Sequence, residues 1–340
     1  MTLESLGWRE HFARQFDDPC LTPARVAVSH RDRFVVWTEA GQTTATPSGR
    51  LRRESGLWPT TGDWVLLREG ASIEQVLDRQ TTISRRNPGG ALNEQVLGAN
   101  VDILFVVAGL DHNFNLRRLE RYLILAQEGG VRPVMVLNKA DLHSDPSAAV
   151  RAVRGLAGGC PILTMSATEG WGVAALHDHV SENETAALAG SSGTGKSTIL
   201  NSLLGQNRQA TQAVREEDSK GRHTTTAREL ILMPQGWLLM DLPGIRGLQL
   251  LADEEAVKNA FEDIAEASEN CHFRDCRHEG ESGCAVALVV PEDRMAAYQK
   301  LRREAAYIER HTDATAAQAE KKRWKAVQKT MNQAARKPQR

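Results

Sequence analysis

A run of glycine, serine, threonine and lysine has the composition of a phosphate-binding loop. Residues Gly190 to Ser197 read GSSGTGKS and fit the pattern G-x-x-x-x-G-K-[ST]. In such a loop backbone N–H groups surround the phosphates, the lysine reaches the β- and γ-phosphates, and the final hydroxyl ligates Mg²⁺. An apolar stretch precedes the run and a helical pattern follows it, which favours this interpretation over a chance Gly/Ser-rich turn.

A second motif carries the residue types that read guanine. Residues Asn138 to Asp141 read NKAD and fit N-K-x-D, the guanine-reading tetrapeptide of GTPases. The Asp141 carboxylate can accept from the ring N–H and the exocyclic amine of guanine, a donor pair that adenine lacks, so it disfavours ATP. We expect the stem of Lys139 to pack along the base and the backbone N–H groups of Ser166 and Ala167 to contact the guanine oxygen. The alternative is an ordinary loop after a strand.

These two motifs occur in reversed order. In an ordinary GTPase the phosphate loop comes first and N-K-x-D last, so the sequence predicts a GTPase domain cut and rejoined at a new place. The predicted nucleotide contacts are Asn138, Lys139, Asp141, Ser166, Ala167, Gly190, Ser191, Ser192, Gly193, Thr194, Gly195, Lys196, Ser197 and Thr198.

Two further segments would respond to the γ-phosphate. Residues 241–244 read DLPG and fit D-x-x-G, in which Asp241 would hold Mg²⁺ through water and the Gly244 N–H would meet the γ-phosphate. A threonine of the stretch 221–226, either Thr224 or Thr225, would close on Mg²⁺ together with Ser197. The sequence leaves the choice between these two threonines open.

The position after D-x-x-G is informative because it lacks the water-orienting glutamine of Ras-like enzymes. This chain has Ile245 there, which predicts slow intrinsic turnover. His223 is the nearest replacement by sequence logic, and the alternative is a solvent-exposed loop histidine. The predicted catalytic residues are therefore His223, Lys196 and Gly244.

Three cysteines and a histidine crowd into fourteen positions near residue 280. Cys271, Cys276, His278 and Cys284 offer the ligand set of a closed tetrahedral site for one structural Zn²⁺. His272 is a competing imidazole with less suitable spacing, and a few packed cysteines are the alternative to a metal site.

The pattern along the chain predicts a multidomain α/β protein. Short β runs separated by Gly, Pro and Asp indicate a short lead segment and a small β-barrel in residues 1–86, with an OB-fold preferred over another small barrel. Strands alternate with helices in residues 87–250, the permuted P-loop GTPase domain, and each motif follows a strand. Residues 251–340 would form a zinc-binding helical domain with a basic tail, which could contact RNA or remain a solvated tail.

Bulk composition restricts the partners. The chain has 340 residues with 42 Lys and Arg against 43 Asp and Glu, so no global basic field points to nucleic acid. No apolar run approaches the roughly 18 residues that a membrane helix needs, and no secretory signal is apparent. We expect a cytoplasmic protein with reduced cysteines and no membrane partner, and nothing demands more than a monomer.

Taken together, these motifs resemble the RsgA (YjeQ/YloQ) family of circularly permuted GTPases. The resemblance covers nearly the whole chain and departs from the family pattern at Leu242, where threonine is usual. It implies an OB-fold, a permuted GTPase domain and a zinc-containing helical domain. It also implies GTP and GDP binding, association with the small ribosomal subunit and its rRNA in late assembly, and GTP hydrolysis stimulated by that subunit. A role for the switch-loop histidine, here His223, follows from the same resemblance.

Two other function classes compete with this interpretation. One is a nucleotide-sensing, RNA-binding scaffold that hardly hydrolyses GTP, which Ile245 favours. The other is an ATP-dependent enzyme built on the same phosphate loop, which Asp141 disfavours. Turnover with and without small subunits separates the first from a GTPase, and nucleotide competition tests the second.

Overall fold

The computed structural model describes residues 1–53, 57–69, 71–86, 94–112, 114–205, 228–242, 257, 261–273, 276–278, 280–292 and 294–303. The chain divides into two compact units. The first contains Met1–Arg85 and Gln95–Leu248, and the second contains Arg86–Glu94 and Gln249–Arg340. The N-terminal barrel and the α/β region thus lie within one unit, and the predicted domain boundaries at residues 86 and 250 stay a prediction.

Five short strands close into the predicted barrel. They are β1 (Thr22–Ser29), β2 (Phe34–Thr38), β3 (Gly41–Pro47), β4 (Trp64–Arg68) and β5 (Ser72–Val76). The order is β1-β2-β3-β5-β4, and β4 pairs again with β1. Inward-facing apolar side chains such as Val26, Phe34 and Ile73 fill the interior. This closed arrangement of short strands is that of an OB-like barrel.

The strands and helices of the α/β region are β8 (Ile103–Gly109), α3 (Leu116–Glu128), β9 (Arg132–Asn138), α4 (Pro146–Arg154), β10 (Ile162–Thr164), β11 (Thr185–Ala189), α5 (Lys196–Leu204), β12 (Glu229–Leu232) and β13 (Leu238–Asp241). The strands lie in the order β10-β9-β8-β11-β13-β12, and β12 pairs in turn with β1, so this sheet is continuous with the barrel strands. Five of these strands run parallel, and β12 is antiparallel to both of its neighbours. Every residue of β8 and β11 is buried, which explains the continuous apolar runs in the sequence.

Smaller elements lie in this first unit, apart from the terminal residues Arg86 and Glu94 of two strands, which belong to the second. They are 3-10 helices at Glu4–Leu6, Ala140–Leu142 and Val173–His179, helices α1 (Glu10–Ala13) and α2 (Gly49–Arg53), and strands β6 (Thr82–Arg86) and β7 (Glu94–Ala99). The lead segment packs on the barrel through aromatic rings. Trp8 and Phe12 lie 4.7 and 5.9 Å from the ring centre of Trp64. The predicted lead segment therefore buries apolar side chains against the barrel.

A polar network joins the barrel to the amino-terminal edge of the α/β sheet. The fully buried Arg25 of β1 donates to the carbonyl oxygens of Leu6 and Asn100 at 3.0 and 3.1 Å. Desolvation lowers the pKa of this guanidinium to about 10, which leaves it charged at neutral pH. Asp102, just before β8, pairs with both terminal nitrogens of Arg9 at 2.6 and 2.8 Å. These contacts lie at the sheet edge opposite the predicted nucleotide motifs.

The described part of the second unit is helical around the Cys/His segment. It contains α6 (Glu262–Ser268), α7 (Val286–Val289) and a helix over residues 294–303. The rings of Phe261 and Tyr298 contact each other in a tilted arrangement with their centres 5.4 Å apart. Among the residues that the structure describes, no helix has both the length and the apolar character needed to cross a bilayer.

Candidate functional site

The phosphate loop connects the buried strand β11 to helix α5. Gly190, Gly193 and Gly195 have φ values of +153°, +83° and +95°, which side chains rarely adopt. A Cβ on Gly190 would lie 2.3 Å from the carbonyl oxygen of Val107, so the backbone of β8 leaves no room for one. The Lys196 ammonium lies inside the loop and donates to the carbonyl oxygens of Gly190 and Ser191 at 2.7 and 2.8 Å.

Asn138 joins the base-reading motif to the phosphate loop. It ends β9 and is almost completely buried. Its Nδ2 donates to the carbonyl oxygen of Thr194 at 2.9 Å, and its Oδ1 accepts from the Ala167 N–H at 2.9 Å. A Cβ on Gly195 would lie only 2.2 Å from that Nδ2. The fold therefore brings three predicted segments into direct contact although Asn138 and Thr194 are 56 positions apart.

The other predicted base contacts surround Asn138. Asp141 is exposed in the 3-10 helix that follows, and Lys139 has a left-handed backbone with φ of +62°. The N–H of Ser166 donates to the carbonyl oxygen of Trp171 at 3.1 Å, and that of Ala167 is engaged by Asn138. A guanine oxygen would therefore have to share these two N–H groups with acceptors of the protein.

The predicted magnesium ligands approach the loop from two elements. Ser197 is exposed in the first turn of α5, and Asp241 ends β13, where its Cα is paired with Leu188 of β11. Leu242 is buried, and a Cβ on Gly98 would lie 3.3 Å from its side chain. An apolar residue thus fits the position where the family pattern has threonine.

Part of the predicted site lies outside the residues that the structure describes. This part comprises His223, Thr224, Thr225, Gly244 and Ile245, together with the basic tail 321–340. Ser192, Gly193 and Thr198 are exposed on the phosphate loop and the first turn of α5.

Two side chains that the sequence reasoning missed contact the site from the segment after β8. Asp111 pairs with Lys139 at 2.6 Å, and Arg118 in the first turn of α3 donates to the Ser191 hydroxyl at 2.8 Å. Asn115 caps this helix by accepting from the Arg118 N–H at 3.0 Å. The sequence offered one indication of these two residues, which is their position after β8. The carboxyl end of this parallel strand lies at the same edge of the sheet as the ends of β9 and β11, where the motifs are.

The four predicted zinc ligands form a compact group in the second unit. The ligand atoms of Cys271, Cys276, His278 and Cys284 all lie within 4.8 Å of one another. The His278 Nδ1 is 3.7 Å from the sulfur of Cys271 and 3.5 Å from that of Cys284. The competing His272 is outside this group. The three sulfurs and one imidazole nitrogen fit a tetrahedral Zn²⁺ site with no open position.

Local electrostatics favour the ligand forms of His278 and Cys271, whereas desolvation raises the pKa of the Cys276 thiol to about 11. Desolvation lowers the pKa of His278 and keeps the imidazole neutral, as a metal ligand must be. Desolvation opposes ionisation of Cys271, but backbone N–H groups of Val286 and Ala285 help to lower the pKa of its thiol. The His278 carbonyl accepts from Gln299 at 2.9 Å, which fixes the left-handed backbone of this ligand.

Comparisons with known proteins agree with this geometry. The family model described as RsgA GTPase matches residues 76–251, and a model described as 50S ribosome-binding GTPase matches residues 185–334. A protein of Opitutus terrae named small ribosomal subunit biogenesis GTPase RsgA is 45% identical over 352 residues, covering 96% of each chain. One of the same name from Methanosarcina acetivorans is 37% identical and covers 94% of this chain and 90% of its own.

Solved structures show the same architecture. The crystal structure of YjeQ from Thermotoga maritima superimposes with a TM-score of 0.62 at 26% identity, covering 84% of this chain and 99% of that one. The structure of YloQ, described as a circularly permuted GTPase, gives a TM-score of 0.58 at 21% identity over 88% of this chain and 98% of its own. The chain therefore belongs to the RsgA family of circularly permuted GTPases.

Proposed function

We propose that this GTPase binds the small ribosomal subunit during late maturation and that the subunit stimulates its hydrolysis of GTP to GDP and phosphate. The observation that carries the nucleotide part is the bridge from Asn138 to Thr194, which joins base-reading and phosphate-binding segments despite their reversed order. The names of the relatives carry the ribosomal part.

In this proposal the base end of the site depends on three side chains. Asp141 is exposed to solvent, and its carboxylate accepts the two hydrogen bonds that guanine donates. An amide nitrogen has two hydrogens, so Asn138 can donate one to Thr194 and still offer the other to the base. Lys139 supplies the apolar stem along the base.

The phosphate end combines the loop 190–198 with the switch residues. Lys196 would exchange its loop carbonyls for phosphate oxygens, and Gly244 would donate its N–H to the γ-phosphate. Mg²⁺, when bound, would neutralise phosphate charge, and Ser197, Asp241 and Thr224 or Thr225 would hold it. His223 would position the attacking water in place of the glutamine that Ile245 replaces.

We assign one structural Zn²⁺ to Cys271, Cys276, His278 and Cys284. Such an ion would contribute folding free energy to the second unit and no reactive ligand position. The fit rests on four ligand atoms within 4.8 Å of one another.

The barrel is the proposed contact for rRNA within the first unit. Its helix α2 presents Arg50, Arg52 and Arg53, and Trp58 is 43% exposed nearby in the chain. Arginine and exposed aromatic side chains are what single-stranded RNA recognition uses. The basic tail 321–340 would add phosphate contacts. We place the protein in the cytoplasm as a monomer with no membrane partner.

GTP hydrolysis measured with isolated small subunits, with large subunits and with neither tests the proposal. The large subunit is a necessary arm because one matching family model is described as 50S ribosome-binding. We expect stimulation by small subunits only, and weaker subunit binding as salt rises. Stimulation by large subunits alone would overturn the assignment. Equal, negligible turnover in all three arms, with GTP still bound, would favour the RNA-binding scaffold, for which Ile245 is the supporting feature.

His223→Ala separates catalysis from binding within this proposal. We expect unchanged GTP affinity and a lower stimulated turnover. If turnover also stays unchanged, His223 has no part in hydrolysis.

A further inference from the structure

We propose that two residues after β8 position the nucleotide site from both ends, Asp111 by holding Lys139 and Arg118 by holding Ser191. This inference rests on the proposed function, because it assigns roles toward the guanine base and the phosphates. Neither residue belongs to the sequence motifs that bind nucleotide, and both lie on one short stretch between the end of β8 and the first turn of α3.

At the base end, the ion pair restrains a flexible side chain. The Lys139 Nζ lies 2.6 Å from Asp111 Oδ2, and the two side chains are only 26% and 15% exposed. A Cβ on Gly109 would lie 3.3 Å from Lys139 Cδ and 3.4 Å from both Asp111 carboxylate oxygens. The lysine stem thus crosses directly over the end of β8. Holding its ammonium removes rotamer freedom that would otherwise be lost when guanine binds.

At the phosphate end, Ser191 contacts two cations. Its hydroxyl accepts from Arg118 Nη1 at 2.8 Å, and its carbonyl oxygen accepts from Lys196 Nζ at 2.8 Å. The same carbonyl accepts from the Thr194 hydroxyl at 3.0 Å. The Arg118 contact therefore restrains the loop backbone at Ser191, where Lys196 is held until phosphate oxygens replace the loop carbonyls, and the guanidinium adds positive charge beside the phosphate site.

The backbone makes the Arg118 contact a fixed one. Arg118 is in the first turn of α3, whose start is set by the Asn115 cap. The 13-residue helix buries Leu119 and Tyr122 against the sheet and cannot readily shift. A side chain anchored in this way is pre-organised toward the loop, so its charge needs little reorganisation when phosphates arrive.

The two contacts predict different losses. Asp111→Asn should weaken GDP and GTP binding equally, by about fivefold, since both ligands share the base and a partly buried pair contributes up to about 1 kcal/mol. Arg118→Met should weaken GTP binding by about tenfold and GDP binding less, by about threefold, because the triphosphate carries more charge. For Arg118, a purely structural role would not change the ratio of GTP to GDP affinity. For Asp111, a role exerted through Lys139 predicts that Asp111→Asn has no further effect on nucleotide affinity in a Lys139→Ala background, whereas a purely structural role predicts that the two losses add.

The test is titration of the full-length protein with fluorescent GDP and a non-hydrolysable GTP analogue in excess Mg²⁺. Arg118→Lys should restore part of the GTP preference by restoring charge. Ser191→Ala, which removes only the hydroxyl, should lose its effect in an Arg118→Met background if the two groups act as a pair. The matched control is Arg151→Ala, an exposed arginine on the N-capped helix α4, which should bind both nucleotides as the wild type does.

The outcomes separate the two levels of inference. Wild-type protein that binds neither nucleotide would overturn the proposed function itself. If the wild type binds both nucleotides, and Asp111→Asn and Arg118→Met bind each of them with wild-type affinity, only this inference is overturned. Should Arg118→Met fail to fold, as judged by circular dichroism, Arg118→Lys and Ser191→Ala give the same decision through the GTP-to-GDP ratio.

Discussion

The nucleotide site and the Cys/His cluster are specified over different distances along the chain. The cluster takes its four ligand atoms from one segment between Cys271 and Cys284. The nucleotide site takes its groups from the ends of five parallel strands, from Asp111 after β8 to Asp241 at the end of β13. The cluster should therefore depend on its metal, and the nucleotide site on the sheet that aligns it. Three experiments test this contrast, and a fourth measures how pH affects the stability of the unit that carries the nucleotide site.

Loss of the metal should have the largest effect, and this effect should be confined to the Cys/His cluster and the second unit. Structural zinc sites bind with apparent free energies of about 10–16 kcal/mol, which is coupled to folding. Protein purified without chelators should carry about one Zn²⁺ per chain. Cys276→Ser should lose the metal and the thermal transition of the second unit.

Metal analysis and calorimetry of the wild type and Cys276→Ser measure this effect. Cys20→Ser, at an exposed cysteine outside the cluster, is the control. Guanine nucleotide affinity in excess Mg²⁺ should be the same in all three proteins. Wild-type protein without zinc would remove the metal site from the account.

Removing the loop ammonium should have the next largest effect, confined to the nucleotide side. Lys196→Ala deletes the cation that we propose contacts the β- and γ-phosphates, for which a loss of about 10²–10³ in turnover is expected. Zinc content should not change. Phosphate release under saturating GTP is the measurement, with the exposed Lys300→Ala as control. Wild-type turnover in the Lys196 variant would refute the phosphate-loop assignment.

Asn138→Ala tests the connection between strand ends. It leaves the Ala167 N–H and the Thr194 carbonyl without their partner, and each buried unpaired group costs about 1–3 kcal/mol. GDP affinity should fall by about tenfold to a hundredfold with a lower melting temperature. The exposed Gln75→Ala in the barrel should change neither quantity. An unchanged GDP affinity in Asn138→Ala would show that the bridge is dispensable.

The smallest expected effect is a change in the pH dependence of stability, and it involves His177 of the first unit. Desolvation lowers the pKa of His177, whose Nδ1 accepts from the buried Trp237 Nε1 at 3.2 Å. Because the unfolded chain binds a proton more readily, this contribution to stability is complete above about pH 6.5 and declines as pH falls. Melting temperatures between pH 7.5 and 5 should show a shallower decline in His177→Phe than in the wild type. Parallel curves would contradict this.

Much of the nucleotide site could be predicted from sequence because its motifs are local backbone patterns. The glycines of the phosphate loop, the N-K-x-D tetrapeptide and Asp241 are recognisable from spacing alone, and each follows an apolar strand. The five-stranded barrel was also predictable from its short β runs. The closed pairing of β4 with β1 was not, since strand order depends on contacts distant in sequence.

Asp111 and Arg118 could not be predicted from the sequence, for the same physical reason. Asp111 and Arg118 have ordinary types for a loop and a helix start, and no spacing rule marks them. Their roles follow from contacts with Lys139 and Ser191, which are 28 and 73 positions away in the chain. The hydrogen bond from the Ala167 N–H to Asn138 could not be predicted from the sequence either, because it depends on the register between β9 and β10.

By itself the sequence predicted the ligand types: glycines for phosphate, a carboxylate for guanine and four ligands for zinc within fourteen residues. The tertiary structure added little to the prediction of the Cys/His cluster, because its four ligands are near neighbours in the chain. It brings His278 rather than His272 to the sulfurs, as the spacing predicted. Only the tertiary structure decided how the nucleotide site is held together. Parallel strands carry their carboxyl ends to one edge whatever their order in the chain, so side chains far apart in sequence come within hydrogen-bonding distance there.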